Sequence, residues 1–221
     1  MRTQAMVIGL GQFGMALAKS LAQRGVDVLA VDSKPELVNL ASHFASEAAC
    51  FNAMDEEALG RAVPNRRDLC VCAIGDESRE GAIVVTALLR KMGAPRIVAR
   101  ATDDLLERIL QLVGAHEVFN PERAFGERLA TRLLYQGIIE EIPLGDDLVI
   151  TELAPPPAML GRNLIELKLP HKYGITVVAI RRVVEDHGTV IQPDPHAPLQ
   201  SDDILVVVAR PGATQRLTER M

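Results

Sequence analysis

Ala5-Met6-Val7-Ile8-Gly9-Leu10-Gly11-Gln12-Phe13-Gly14 opens a chain of 221 residues and decides its fold. An apolar run, Ala5 to Ile8, feeds into three glycines. A helical pattern, Met15 to Gln23, runs out of them. A second apolar run, Val26 to Val31, then ends on Asp32. Strand, glycine turn, helix and strand with a terminal acid is the context in which G-x-G-x-x-G binds a nucleotide. Gly9 permits the tight turn, Gly11 lets backbone approach a pyrophosphate, and Gly14 lets helix and strand pack closely. The helix start offers N–H groups and a positive dipole end to phosphates. Asp32 is placed to accept hydrogen bonds from ribose hydroxyls, and an acid there disfavours a 2′-phosphate, so NADP is the less suited dinucleotide. Phe13, inside the loop, and Ser33, beside Asp32, are assigned to the same site.

Working outward, the residues from Ala5 to Phe119 alternate strand and helix. Strands are expected at 5–9, 27–31, 48–51, 69–74, 96–99 and 117–119, with helices at 13–24, 35–44, 55–62, 78–92 and 103–113. The strands are continuous apolar runs, as a parallel sheet covered on both faces requires. The fold class is therefore α/β, a Rossmann-like doubly wound parallel sheet. Gly25, Gly93 and Gly114 follow helical runs, where left-handed caps are expected. Pro121 to Gln136 reads as a further helix whose apolar stripe (Phe125, Leu129, Leu133) has no sheet left to cover.

After Gly137 the βα alternation stops. Strands at 138–142, 148–153, 174–180, 189–191 and 202–208, a hairpin turn at Asp186-His187-Gly188, a short helix at 163–168 and a terminal helix from Pro211 describe a small α+β module. Two domains are expected, 1–137 and 138–221.

Composition sets limits. Apolar residues make up 48% of the chain and aromatics 3%, with no tryptophan, so the core is aliphatic and surfaces for stacking on bases are scarce. A net charge of −5 and the lack of a long basic run argue against nucleic acid as a partner. No apolar stretch nears the length of a membrane span and no signal peptide is read, so a soluble cytoplasmic protein is expected. Cys70 and Cys72 fall on one face of a strand; no His or further Cys nearby completes a metal site, and buried thiols are the expected reading.

The chain resembles the Trk/Ktr family of potassium-transport regulators, in which an RCK nucleotide-binding domain precedes a small TrkA-C domain. The likeness rests on Val7-Ile8-Gly9-Leu10-Gly11-Gln12-Phe13-Gly14, Val28-Leu29-Ala30-Val31-Asp32 and Val71-Cys72-Ala73-Ile74-Gly75 at the front. Gly114-Ala115-His116-Glu117-Val118-Phe119-Asn120-Pro121-Glu122 carries it in the middle. Lys172-Tyr173-Gly174-Ile175-Thr176-Val177-Val178-Ala179-Ile180 and Ser201-Asp202-Asp203-Ile204-Leu205-Val206-Val207 carry it at the back. A single Rossmann unit makes it most similar to the KtrA type.

The resemblance implies a non-catalytic regulator that binds ATP, ADP or NAD(H) in the glycine-loop cleft. It further implies a homodimer assembling to an octameric ring on a membrane potassium-translocating subunit of KtrB or TrkH type, with the helix from Pro121 exchanged between subunits. Ala73, Ile74 and Gly75 end the fourth strand beside the loop, Asn52 and Ala53 end the third, and similar proteins place a basic residue at Arg100 to reach a phosphate. Glu122 matches a glutamate that helps bind a divalent cation, Mg or Ca; as a residue alone it reads equally as a helix-start carboxylate. Gln12 stands where KtrA-type relatives carry arginine, which leaves ATP/ADP and NAD(H) both open. In the C-terminal domain, Leu164, Ile165, Ile175 and Pro193 match positions that hold cyclic di-AMP in some relatives. Pro170 replaces their arginine, leaving His171 or Lys172 as the nearby cations. Two other classes fit these residues less well. An NAD-dependent oxidoreductase needs an acid–base group near the nicotinamide, and the five histidines form no constellation. A redox-sensing repressor needs a DNA-binding helix pair and a basic patch, and neither is visible.

Overall fold

The computed structural model describes residues 2–75, 78–184 and 187–220. It shows two compact units, one ending at Glu122 and one beginning at Arg123. The first unit contains β1 (Gln4–Ile8), α1 (Gln12–Gln23), β2 (Asp27–Asp32), α2 (Pro35–Ala41), β3 (Glu47–Cys50), α3 (Glu56–Arg61), β4 (Leu69–Cys72), α4 (Arg79–Lys91), β5 (Ile97–Arg100), α5 (Asp104–Leu112) and β6 (Glu117–Phe119).

Its six strands are all parallel, in the order β3-β2-β1-β4-β5-β6. The order reverses between β1 and β4, the switch point at which doubly wound sheets bind ligands. Both faces are dry. Met6, Ile8, Cys70, Cys72 and Ile97 pack with Val85 and Leu89 on one side; Val7, Val28, Ala30 and Val71 pack with Leu10 and Ala18 on the other. Small alanines on the sheet leave room for the aliphatic side chains of α1 and α4. Emptying a position such as Leu89, which is fully buried, costs about 2–5 kcal/mol in cores of this kind. Gly25, Gly93 and Gly114 all have positive φ at their helix ends, as expected.

Burial explains the thiols. Cys70 and Cys72 are wholly enclosed. Loss of water pushes the Cys70 thiol up to about 12 and the Cys72 thiol to about 11. They pack as small hydrophobes.

The helix α6 (Pro121–Leu134) crosses from the first unit into the second, and none of its residues is buried. The second unit continues with β7 (Ile138–Leu144), β8 (Leu148–Leu153), α7 (Leu164–Leu167), α8 (Leu169–Tyr173), β9 (Thr176–Val184), β10 (His187–Ile191), β11 (Ile204–Ala209) and α9 (Ala213–Arg220). The sheet is antiparallel, ordered β10-β9-β11-β8-β7. Burial alternates along β8 and β11, so one face meets a core that includes Leu167, Leu169, Ala213 and Leu217 from the helices. Asp203, just before β11, is buried. Arg182 grips it with two hydrogen bonds of 2.7 and 3.0 Å, and the Gln200 N–H donates at 2.8 Å. Burial pushes its carboxyl up, but these donors and the guanidinium charge outweigh it and hold Asp203 below the usual carboxylate range.

The elements differ from the sequence expectation mainly at their ends. Gly75 lies three residues beyond β4, Asn52 two beyond β3, and Arg100 is the last residue of β5 rather than the first after it. The helix α8 was not anticipated. Of the expected hairpin turn, Asp186 lies outside the described residues.

Candidate functional site

The glycine loop is built by three backbone bonds at the switch point. Gly9 N–H donates to Val31 O at 2.9 Å, Ala73 N–H to Ile8 O at 2.7 Å, and Met15 N–H closes the first turn of α1 on Gly11 O at 2.9 Å. The N–H groups of Gln12, Phe13 and Gly14 precede that first closed turn, so the helix itself supplies them no acceptor. Gly9 turns the chain at φ +92°, and a Cβ there would stand 3.0 Å from Ile74 N. Gly14 faces backward: a Cβ would collide with the Gly9 carbonyl, 2.9 Å from its carbon. Gly11 is different in kind. It is extended, at φ −61°, and a Cβ on it would meet nothing within 4 Å.

Over this loop lies a cleft of about 620 Å³, a volume in the range of small-molecule and cofactor sites, about 300–1,000 Å³. The structure brings nearly all the expected residues to it. Gly9, Gly11, Gln12 and Phe13 form the loop wall, with Asp32 and Ser33 at the end of β2. Asn52 and Ala53 come after β3, Ala73, Ile74 and Gly75 after β4, and Arg100 and Glu122 close the far side. Gly14 alone of the set is absent from the lining; its place is the helix–loop contact just described.

Asp32 holds the loop as well as facing the cleft. Its Oδ2 accepts from Leu10 N–H at 2.6 Å and its Oδ1 from Lys34 N–H at 2.9 Å. A carboxylate has about four lone-pair positions, so acceptor capacity remains for a ligand hydroxyl.

The opposite wall is dominated by Arg100, whose side chain is only 14% exposed. Its guanidinium lies 5.8 Å from the centre of the Phe13 ring, which itself packs on Phe119 with centroids 5.1 Å apart. It passes over Gly75 so closely that a Cβ there would be 2.7 Å from Arg100 Cζ. One terminal nitrogen pairs with Glu122 Oε1. The Arg100 Nε is buried with no hydrogen-bond partner. Glu122, read from sequence as a candidate cation ligand, therefore stands in an ion pair. Among the described residues no group of three His, Cys, Asp or Glu gathers to hold a metal.

Several lining residues escaped the sequence reading. Lys34, Phe51, Met54, Ser78 and Gly81 also face the cleft. Ser78 caps α4, its hydroxyl accepting from Gly81 N–H at 2.9 Å, so a second helix start borders the site. The signal was present as Ser-x-x-Gly after the fourth strand.

In the second unit, Ile175 is fully buried in the core and Leu164 packs against it. Ile175 is thus a core residue of this chain. Ile165 is 50% exposed, and Pro170, His171 and Lys172 are at the surface.

Comparison with known proteins agrees with this architecture. The TrkA-N domain model matches residues 5–121 and the TrkA-C domain model residues 148–221. Ktr system potassium uptake protein C of Bacillus subtilis is 29% identical over 221 residues, covering 100% of this chain and 98% of that protein. Ktr system potassium uptake protein A of Vibrio alginolyticus is 33% identical over 205 residues, covering 93% and 91%. The GsuK channel bound to NAD superposes with a TM-score of 0.67 at 16% identity, covering 98% of this chain but 39% of the channel, and so shares the fold.

Proposed function

The chain belongs to the TrkA-domain family of Trk and Ktr potassium uptake proteins, and from that premise we propose that it is a nucleotide-binding regulatory subunit controlling a membrane potassium-translocating subunit. The observation that carries this reading is the cleft at the switch point, with glycine loop, helix start and Asp32 on one wall and Arg100 on the other. In this reading Gly9, Gly11, Gln12 and Phe13 cradle phosphates, Asp32 and Ser33 take a ribose, and Asn52 and Ala53 border the base. An adenine nucleotide, ATP/ADP or NAD(H), is the ligand. A divalent cation at Glu122 would need phosphate oxygens to complete its shell, since the chain gathers no ligand set there.

No helix among the described residues is long and apolar enough to cross a membrane. The subunit is accordingly proposed to act from the cytoplasmic side through a membrane partner, as a homodimer within a larger ring. Residues 1–137 form its nucleotide domain with the crossover helix, and 138–221 the second domain. The bare helix α6 supports the dimer, because its apolar side chains need a cover that the chain does not give them.

The deciding experiment is calorimetry with ATP, ADP, NAD, NADH and cyclic di-AMP on wild type and Gly11→Ala. A methyl at Gly11 projects into open space, so the variant keeps its fold while obstructing the phosphates. Binding lost in Gly11→Ala with an unchanged melting temperature is the expected result; undiminished binding would remove the site assignment.

A further inference from the structure

We infer that the first unit carries a second small-molecule site, between the outer strand β3 and α3, that takes a monocarboxylate anion with a short apolar tail. The inference does not depend on the nucleotide reading of the cleft.

β3 is the outermost strand of the parallel sheet. A pocket of about 330 Å³ lies between it and α3, at the small end of the range for ligand sites, about 300–1,000 Å³. Its body is apolar. Leu29 of β2, Ala49 of β3 and Phe51 just after β3 form one wall; Ala58 of α3 and Ala62, one turn on, form the other. Three alanines meet where larger aliphatic side chains would close the gap, as Val85 and Leu89 of α4 do elsewhere against the same sheet.

Val63 completes the lining against its own backbone preference. It follows the end of α3 at φ +52°, ψ +61°, a left-handed position at which glycine is the usual occupant. A β-branched residue there is strained, and strain of this kind persists where it positions a side chain for a ligand. Glycine would end the helix equally well; valine adds an isopropyl group to the pocket.

The mouth supplies the charge. Arg67, after the single 3₁₀ turn Pro64–Arg66, has a side chain only 14% exposed. Its ion pair with Glu47 is a 3.5 Å contact through Nη2, and Glu47 itself is 61% exposed. So long a contact is at the weak end of hydrogen bonding, and a ligand carboxylate can meet the guanidinium fork with two parallel bonds instead. Among the described residues the lining holds two arginines, Arg61 and Arg67, against one acid, Glu47. A monoanion suits that balance, whereas a phosphate dianion brings a further charge to be desolvated beside an apolar wall. Phe51 also lines the glycine-loop cleft, so the two sites share a wall and the test has to separate them.

The test is a ligand-observed NMR titration of the full chain with acetate, butyrate, hexanoate, 1-hexanol and hexyl phosphate. Hexanoate should bind at millimolar concentration or below, with affinity rising about fourfold per added methylene along the acid series. Arg67→Gln should weaken hexanoate about tenfold, the scale of one charge-assisted pair, and leave 1-hexanol unchanged. Ala58→Leu fills the pocket from a helix position that accepts leucine, and should abolish binding of both without lowering the melting temperature. Val63→Gly relieves the backbone and should weaken both, again with no fall in melting temperature. Gly11→Ala should bind hexanoate as wild type does, because the glycine loop is not part of this pocket. Absence of hexanoate binding, equal binding by Arg67→Gln or full binding by Ala58→Leu would overturn the site. Loss of hexanoate binding in Gly11→Ala would put the anion in the glycine-loop cleft and overturn it too. Tighter binding of hexyl phosphate than of hexanoate would overturn the carboxylate assignment.

Discussion

Asp32 does two jobs with one carboxylate. Both oxygens are engaged by backbone N–H groups, of Leu10 in the glycine loop and of Lys34 beyond β2. A residue expected from sequence to bind ribose is thus also the clasp that shapes the loop. Asp32→Asn should therefore destabilise the protein in the absence of nucleotide, because the amide replaces one acceptor with a donor aimed at an N–H. The expected loss is about 1 kcal/mol, the net worth of one hydrogen bond, measured as a shift of the urea midpoint. The glycines divide in the same way. Gly9 and Gly14 are demanded by the turn and by the helix–loop contact, whereas Gly11 is demanded by nothing in the fold. The sequence already divides the triplet in this way, and what a Cβ would meet at each position follows the same division.

At the scale of elements, β1, β2, β4 and β5 were legible because continuous aliphatic runs between glycine and polar breaks have few other readings. The helix α8 was not, because its separation from α7 depends on Lys168 adopting φ +49°, a conformation that nothing in a lysine announces. The outlying site residues were hidden for a related reason. Lys34, Met54 and Ser78 come from three separate loops or helix starts, and the order of the strands, not local pattern, brings them together. The strand β4 carries its own prediction. Iodoacetamide at pH 8 should label Cys50, the exposed thiol, and spare Cys70 and Cys72, read by intact mass; denatured protein takes three adducts. The pH dependence follows from the same burial. The folded thiols titrate near 12 and 11 against 9.0 unfolded, so above pH 9 the unfolded chain holds fewer protons than the folded one. Their contribution is complete below pH 9 and is lost as pH rises toward 11 to 12. Moving from pH 8 to 10 should cost about 1 kcal/mol per thiol, seen as a lower urea midpoint that Cys70→Ala partly abolishes.

For the whole molecule, the proposed dimer rests on α6, where Phe125, Leu133 and Leu134 are 65%, 73% and 74% exposed. Leu133→Glu changes no buried contact within the chain, so its melting behaviour as a monomer should be unaffected. Sedimentation at micromolar concentration should nevertheless shift from an oligomer to a monomer. Finally, the all-parallel sheet fixes how the chain is wired. Every strand of the first unit ends on the same edge, and the cleft is on that edge. A segment that leaves such a sheet after a strand must set out from the ligand side; one that leaves after a helix sets out from the opposite edge. Here the last element before α6 is β6, with only Asn120 between them. The exit route is therefore on the cleft side of the sheet by topology alone. Whatever is appended to a doubly wound sheet in this way starts its path on the edge where the strands end, the edge that carries the cleft.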